Sequence, residues 1–275
     1  MGYLHEGHLS LMSAAAAECD TVVASIFVNP LQFGEPDDLN RYPRDVERDA
    51  GLAAGAGVDV LFTPEIDEMY PQLPPMTSIR VDGLTEQLEG RHRPGHFDGV
   101  AVVVAKLFAG IQPDRAFFGR KDAQQLAVVQ RMAADLSFPV DIVPVSTVRE
   151  HDGLALSSRN RFLSTSEREA AAALSAGLFA AADAVEAGER DGATLESIVR
   201  RAAAERGRLT LEYASLADAA TVQPVSTLSA DSFLAVAVRV GETRLIDNVA
   251  FSVVGDNVIV DRGVRLDGPS VLEGG

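Results

Sequence analysis

Thr21-Val22-Val23-Ala24-Ser25-Ile26-Phe27-Val28 runs directly into Asn29-Pro30. The run is apolar at nearly every position and rich in β-branched residues, which marks a strand covered on both faces, as in parallel sheets. Short runs of the same texture recur at 58–62, 115–118 and 140–145. Between them lie helical patterns at 9–18, at 45–54, and from Val100, where Val103, Val104, Leu107, Phe108 and Ile111 keep one face apolar; another covers 122–136. Strands alternating with helices predict an α/β domain over residues 1–162, a Rossmann-like, doubly wound parallel sheet.

Beyond Arg161 the texture changes. Ser164-Thr165-Ser166-Glu167 has the form of a capping box, with a hydroxyl placed to accept orphan amides and a carboxylate three residues on. An alanine-rich helix to about 186 and a second helix over 193–205 should follow, then strands near 209–214, 232–240 and 243–246. These define a smaller C-terminal α+β domain over 163–250. The tail, 251–275, alternates valine with glycine and aspartate and reads as a disordered appendage.

Forty acidic against 24 basic side chains leave a net charge of −16, which argues against a nucleic-acid partner. The basic residues include only two lysines, Lys106 and Lys121. The single cysteine, Cys19, excludes an intrachain disulfide and suits a reducing compartment. No apolar run approaches the roughly 20 residues of a membrane span, and the opening residues lack the layout of a signal peptide. Cytoplasm is the expected location, with no membrane partner.

Four segments could carry chemistry. In His5-Glu6-Gly7-His8 two imidazoles stand three apart where a helix begins, a place that favours anions; a zinc site would need His-Glu-x-x-His, which puts Leu9 at the second histidine. Exposed turn histidines are the plainer alternative. Phe117-Phe118-Gly119-Arg120-Lys121-Asp122 follows a strand and opens a helix, where ligands of such folds collect, although it lacks P-loop spacing. An ordinary turn with solvated charges would look similar. Ser157-Ser158-Arg159 groups two hydroxyls and a guanidinium suited to phosphate oxygens, or simply forms a polar linker. Asn29 and Gln32, at the end of the opening strand, could orient a polar substrate, or Asn29-Pro30 could only form a turn.

Together these segments resemble the pantothenate synthetase family of the His-x-Gly-His nucleotidyltransferases. The resemblance covers His5 to His8, Ile26 to Phe33, Tyr42-Pro43-Arg44, Leu88-Glu89-Gly90, Arg93-Pro94-Gly95-His96-Phe97, Phe117-Phe118-Gly119 with Lys121-Asp122 and Gln124-Gln125, and Thr147 to Arg161. Arg244-Leu245-Ile246-Asp247-Asn248 is similar to the family's usual ending.

The resemblance implies a ligase that joins pantoate to β-alanine through a pantoyl-adenylate, with ATP giving AMP and pyrophosphate. It implies that Met1, Gly2, Leu4, His5 and His8 form the first nucleotide turn, His8 being the family's assigned acid. Lys121 would neutralise phosphate charge, with Gly119 and Asp122 at the ribose. Val148 would touch adenine beside Leu156, and Ser157, Ser158 and Arg159 would form the second phosphate loop. Gln32, Gln125 and Asn29 would hold pantoate. Mg2+ would accompany ATP with Asp49 as an acidic neighbour, and the assembly would be a homodimer. Another acceptor for the same nucleotidyl chemistry, or a truncated ATP-binding paralogue without turnover, are the competing readings.

Three departures stand out. Arg120 replaces the family's usual glutamate and adds positive charge beside Lys121, a change expected to face solvent, with tighter phosphate binding as the alternative. Leu156 replaces a common methionine at similar volume. The family's helix and first, central strand precede the position of Met1-Gly2, so the sheet is expected to lack its middle strand and Met1 to be an internal start. Losing three or four buried strand side chains at roughly 2 kcal/mol each would consume most of a domain's stability of about 5–15 kcal/mol.

Overall fold

The computed structural model describes residues 2–33, 39–40, 42–205 and 209–272. The chain divides into two compact units: 1–118 with 124–145, and 119–123 with 146–275.

The first unit alternates helices and strands: α1 (Glu6–Glu18), β1 (Val23–Ser25), α2 (Val46–Gly55), β2 (Val60–Phe62), α3 (Ile66–Met69), α4 (Leu88–His92), α5 (His96–Ile111), β3 (Arg115–Gly119, except its last residue), α6 (Ala123–Asp135, from its second residue) and β4 (Asp141–Val145). β1 and β2 pair in parallel, Ala24 opposite Leu61. β3 and β4 form a second two-stranded sheet. No strand among the described residues joins the two pairs. Leu4, Met12, Ala24, Ile26 and Ala53 form a buried cluster, so one face of the opening strand is covered by α1 and α2, whereas Val23 on its other face is exposed, contrary to the expectation of cover on both faces.

α5 buries Val100, Val103, Val104 and Phe108, but of the face read from its spacing Leu107 is only half-buried and Ile111 is exposed. Close to its start, a Cβ at Gly99 would lie 2.3 Å from the Leu31 carbonyl oxygen. Glycine there lets the 3-10 turn Pro30–Gln32 press against the helix backbone.

The second unit holds β5 (Val148–Arg149), the 3-10 turn Ser158–Phe162, α7 (Thr165–Glu186), α8 (Gly192–Glu205), β6 (Leu209–Asp218), β7 (Ser232–Val240), β8 (Thr243–Val254), β9 (Asn257–Asp261) and β10 (Val264–Arg265). Strands β6 to β9 make one antiparallel sheet in chain order. The core of this unit includes Leu174 and Leu178 of α7, Leu195 and Val199 of α8, and Leu216, Leu234, Val236 and Val238 of the sheet. Gly177 brings α7 close to α8, since a Cβ there would stand 2.8 Å from that of Ala202. The Ser164–Glu167 capping box starts α7 as its spacing predicts.

Two boundaries differ from the sequence reading. The division falls at 145/146 rather than at 162/163, because 146–161 is tied into the second unit through Arg149. The tail is also structured: residues 251–254 complete β8, β9 pairs with it, and β10 pairs in parallel with β5. Its alternating valines have a strand's period, and Val258 and Val260 pack on the core.

Candidate active site

His5 caps α1, and its Nδ1 accepts the amide of Gly7 at 3.2 Å. His8 Nδ1 accepts the His5 amide at 3.3 Å, and the two rings lie 4.0 Å apart. With both Nδ1 atoms acting as acceptors, each neutral ring carries its proton on Nε2. Two N–H donors therefore share the amino end of a 13-residue helix, whose dipole favours an anion.

The loop leading into this pair is pinned by α2. Tyr3 and Leu4 donate their amides to the two carboxylate oxygens of Asp49, at 2.6 and 2.7 Å. Arg48 donates to the Leu4 carbonyl at 3.0 Å and to Asp49 at 3.2 Å, and its guanidinium lies 4.7 Å above the Tyr3 ring. Asp49 is 1% exposed. Both of its oxygens are engaged by amides, so its role in the structure is to hold the loop. No group of three or more His, Cys, Asp or Glu among the described residues could hold a metal ion. Met1 lies outside the described residues.

Asn29 also has a different task from the one expected. It is 2% exposed; its Nδ2 donates to the Gly99 carbonyl at 3.0 Å, and its Oδ1 accepts from the Leu31 amide and the Tyr70 hydroxyl. The side chain builds the turn that carries Gln32 rather than offering itself to substrate. Arg93 and His96 both donate to the Gln32 carbonyl, at 3.0 and 2.9 Å, while the half-buried Gln32 amide has no side-chain hydrogen bond to the described residues. On α6 neighbouring glutamines separate in the same way. Gln124 accepts from Glu89 and donates to Leu84 and Gln87, whereas half-buried Gln125 makes no such bond.

In the second unit the 3-10 turn Arg120–Asp122 presents Lys121, whose Nζ stands 3.9 Å from Asp122. Asn248 Nδ2 donates to the carbonyls of both Arg120 and Lys121, at 2.9 and 2.8 Å. Leu156 donates its amide to the Val148 carbonyl at 3.0 Å, placing those two predicted nucleotide contacts side by side. Ser157 caps the following turn by accepting the Arg159 amide at 3.3 Å. Asn160 fixes the same loop, its Nδ2 donating to Glu150 and Ala155. Its Oδ1 is the one buried side-chain polar atom without a partner among the described residues.

Beneath both turns lies Arg149, fully buried, which donates through two nitrogens to Asp247 at 2.6 and 2.9 Å. It also donates to the carbonyls of Gly153 and Asn248. Residue-by-residue reading missed Asn248, Asp247 and Arg149 as positioning groups. The signal was present in Arg244-Leu245-Ile246-Asp247-Asn248, where two adjacent polar residues sit between the apolar Leu245-Ile246 and Val249-Ala250 of one strand, and both are buried.

Residues 1–250 match the family described as pantoate-beta-alanine ligase. The pantothenate synthetase of Moorella thermoacetica is 51% identical over 253 residues, covering 92% of this chain and 89% of that protein. That of Geobacillus kaustophilus is 54% identical over 249 residues, covering 90% and 83%. A crystal structure of pantothenate synthetase from Thermus thermophilus superposes with a TM-score of 0.86 at 49% identity and 90% coverage of both chains. The ligase of Francisella tularensis, complexed with beta-gamma ATP and beta-alanine, does so with 0.70 at 32% identity, covering 90% and 86%.

Proposed function

Because the chain belongs to the pantoate–β-alanine ligase family, we propose that its histidine pair, Lys121 turn and Ser157–Arg159 loop carry the two half-reactions of that ligase. The protein condenses pantoate with β-alanine to pantothenate in an ATP-dependent reaction. A carboxylate is a poor acyl donor because its leaving group would be an oxide. Its oxygen attacks the α-phosphorus of ATP, pyrophosphate leaves, and the mixed anhydride forms. The β-alanine nitrogen then attacks the acyl carbon, loses a proton and expels AMP.

His5 and His8 donate from Nε2 to phosphate oxygens as charge moves onto pyrophosphate, and Lys121 offsets that charge. Gly2 and Leu4 border the nucleotide in the first turn. Gly119 and Asp122 border the ribose, Val148 and Leu156 the adenine, and Ser157, Ser158 and Arg159 supply phosphate donors. Gln32 and Gln125, whose amides are not committed to neighbouring residues, hydrogen-bond the hydroxyls and carboxylate of pantoate. Mg2+ enters with ATP as its counter-ion; Asp49 does not fit a ligand role, and no other protein ligand is assigned. The resemblance also supports a homodimer in the cytoplasm. No helix among the described residues is long and apolar enough to cross a membrane.

The observation that carries the assignment is the Nδ1 commitment of both histidines at the start of α1. Pantoate-dependent ATP–pyrophosphate exchange tests it. His8→Ala and Lys121→Ala should each lower exchange by about 10²–10⁴-fold with unchanged circular dichroism, and wild-type exchange in either variant removes that residue from the mechanism. Gln125→Ala should raise the pantoate KM; an effect confined to ATP contradicts its role.

A further inference from the structure

We propose that Asp261, in the segment beyond the family match, is a positioning residue for ATP, bracing the Lys121 turn through Arg120 and the adenine strand β5 through Ser146. The matched region ends at residue 250, and β9 and β10 lie wholly beyond it. Asp261 ends β9. Its Oδ2 accepts the Ser146 hydroxyl at 2.9 Å and stands 3.4 Å from Arg120 Nε, while its Oδ1 accepts the Gly263 amide at 2.8 Å.

A carboxylate at position 120 would face Asp261 with like charge, whereas the guanidinium of Arg120 complements it. Neither partner is fully exposed, at 32% and 28% of side-chain area, and the change expected to face solvent is instead one half of an ion pair.

The segment reaches β5 by close backbone approach. Gly263 has a φ of +82°, and a Cβ there would lie 2.3 Å from the Thr147 carbonyl oxygen. Val264 donates to Thr147 at 2.7 Å and Leu266 to Arg149 at 2.8 Å. Arg149 Nε donates to the Arg262 carbonyl. On its other side Arg262 is anchored to α7 by both oxygens of Glu186 and by Asp183. The turn at 120–122 is thereby held twice: its backbone by Asn248, and its first side chain by Asp261.

The inference rests on the assignment of Lys121 and Val148 to ATP. Purified full-length protein should be assayed for pantothenate formation with ATP, pantoate and β-alanine varied in turn. Arg120→Glu should raise the ATP KM by about two- to fivefold, the range of a partly exposed charge pair, with the pantoate KM unchanged. Asp261→Asn in that background should bring the ATP KM back towards the wild-type value by relieving the repulsion. Asp261→Asn alone should raise it about twofold. Absence of rescue, which would mean that the introduced carboxylate repels ATP directly, overturns the brace. So does a fall in melting temperature with no change in ATP KM. Wild-type exchange in Lys121→Ala would instead overturn the underlying ATP assignment.

Discussion

The Tyr70 hydroxyl donates to Asn29 at 2.9 Å from a ring that is 4% exposed, and burial pushes its phenol up to about 12. The neutral form is favoured by folding, so its contribution is fully present below the ordinary tyrosine value of about 10. It is lost as pH rises from there towards 12, because the unfolded chain releases the proton first. Over that window stability should fall by up to about 1.4 kcal/mol per pH unit. Urea midpoints measured from pH 9 to 11.5 should show this slope in the wild type and a shallower one in Tyr70→Phe. Equal slopes would mean that Tyr70 does not titrate within the window. Asn29 was legible as the end of a strand, but its direction was not. An asparagine at a strand's carboxyl end serves substrate or turn equally well by residue type, and only the positions of Gly99, Leu31 and Tyr70 decide for the turn.

At the scale of elements, α2 holds the loop that delivers the histidine pair. Asp49→Ala would leave the Tyr3 and Leu4 amides without their acceptor, at a cost of about 1–3 kcal/mol. ATP–pyrophosphate exchange should fall, and Asp49→Asn, which retains one accepting oxygen, should recover part of it. A variant that loses thermal stability but keeps full exchange would show that the loop does not depend on the clamp. The helices and most strands were legible because their signals are local: an apolar face on α5, a capping box before α7, β-branched runs at β1 and β4. The clamp made by Asp49 was not legible because its partners lie 46 and 45 residues away, beyond any spacing rule. β9 was misread because the glycines and aspartates interspersed through the tail drew attention from Val258 and Val260, which keep a period of two.

At the scale of the whole molecule, the net charge of −16 gives no hint of a polyanionic substrate. The cationic groups assigned to ATP are few and local, and one of the chain's two lysines is among them. The second unit depends on a buried pair, Arg149 and Asp247, both almost fully excluded from solvent. Asp247→Ala would strand the guanidinium and cost about 3–5 kcal/mol. Its melting transition should therefore drop well below that of Arg120→Glu, whose ion pair is partly solvated. Similar transitions for the two variants would contradict the burial argument.

Asn248 reaches back 128 and 127 residues to the carbonyls of Arg120 and Lys121. During translation at about 5–20 residues per second, roughly 6 to 25 seconds separate the synthesis of Lys121 from that of Asn248. Throughout that interval the turn at 120–122 exists without the side chain that holds its backbone. Shaping of this turn therefore waits on a residue synthesised long after it, and truncation before Asn248 removes the donor to both of its carbonyls.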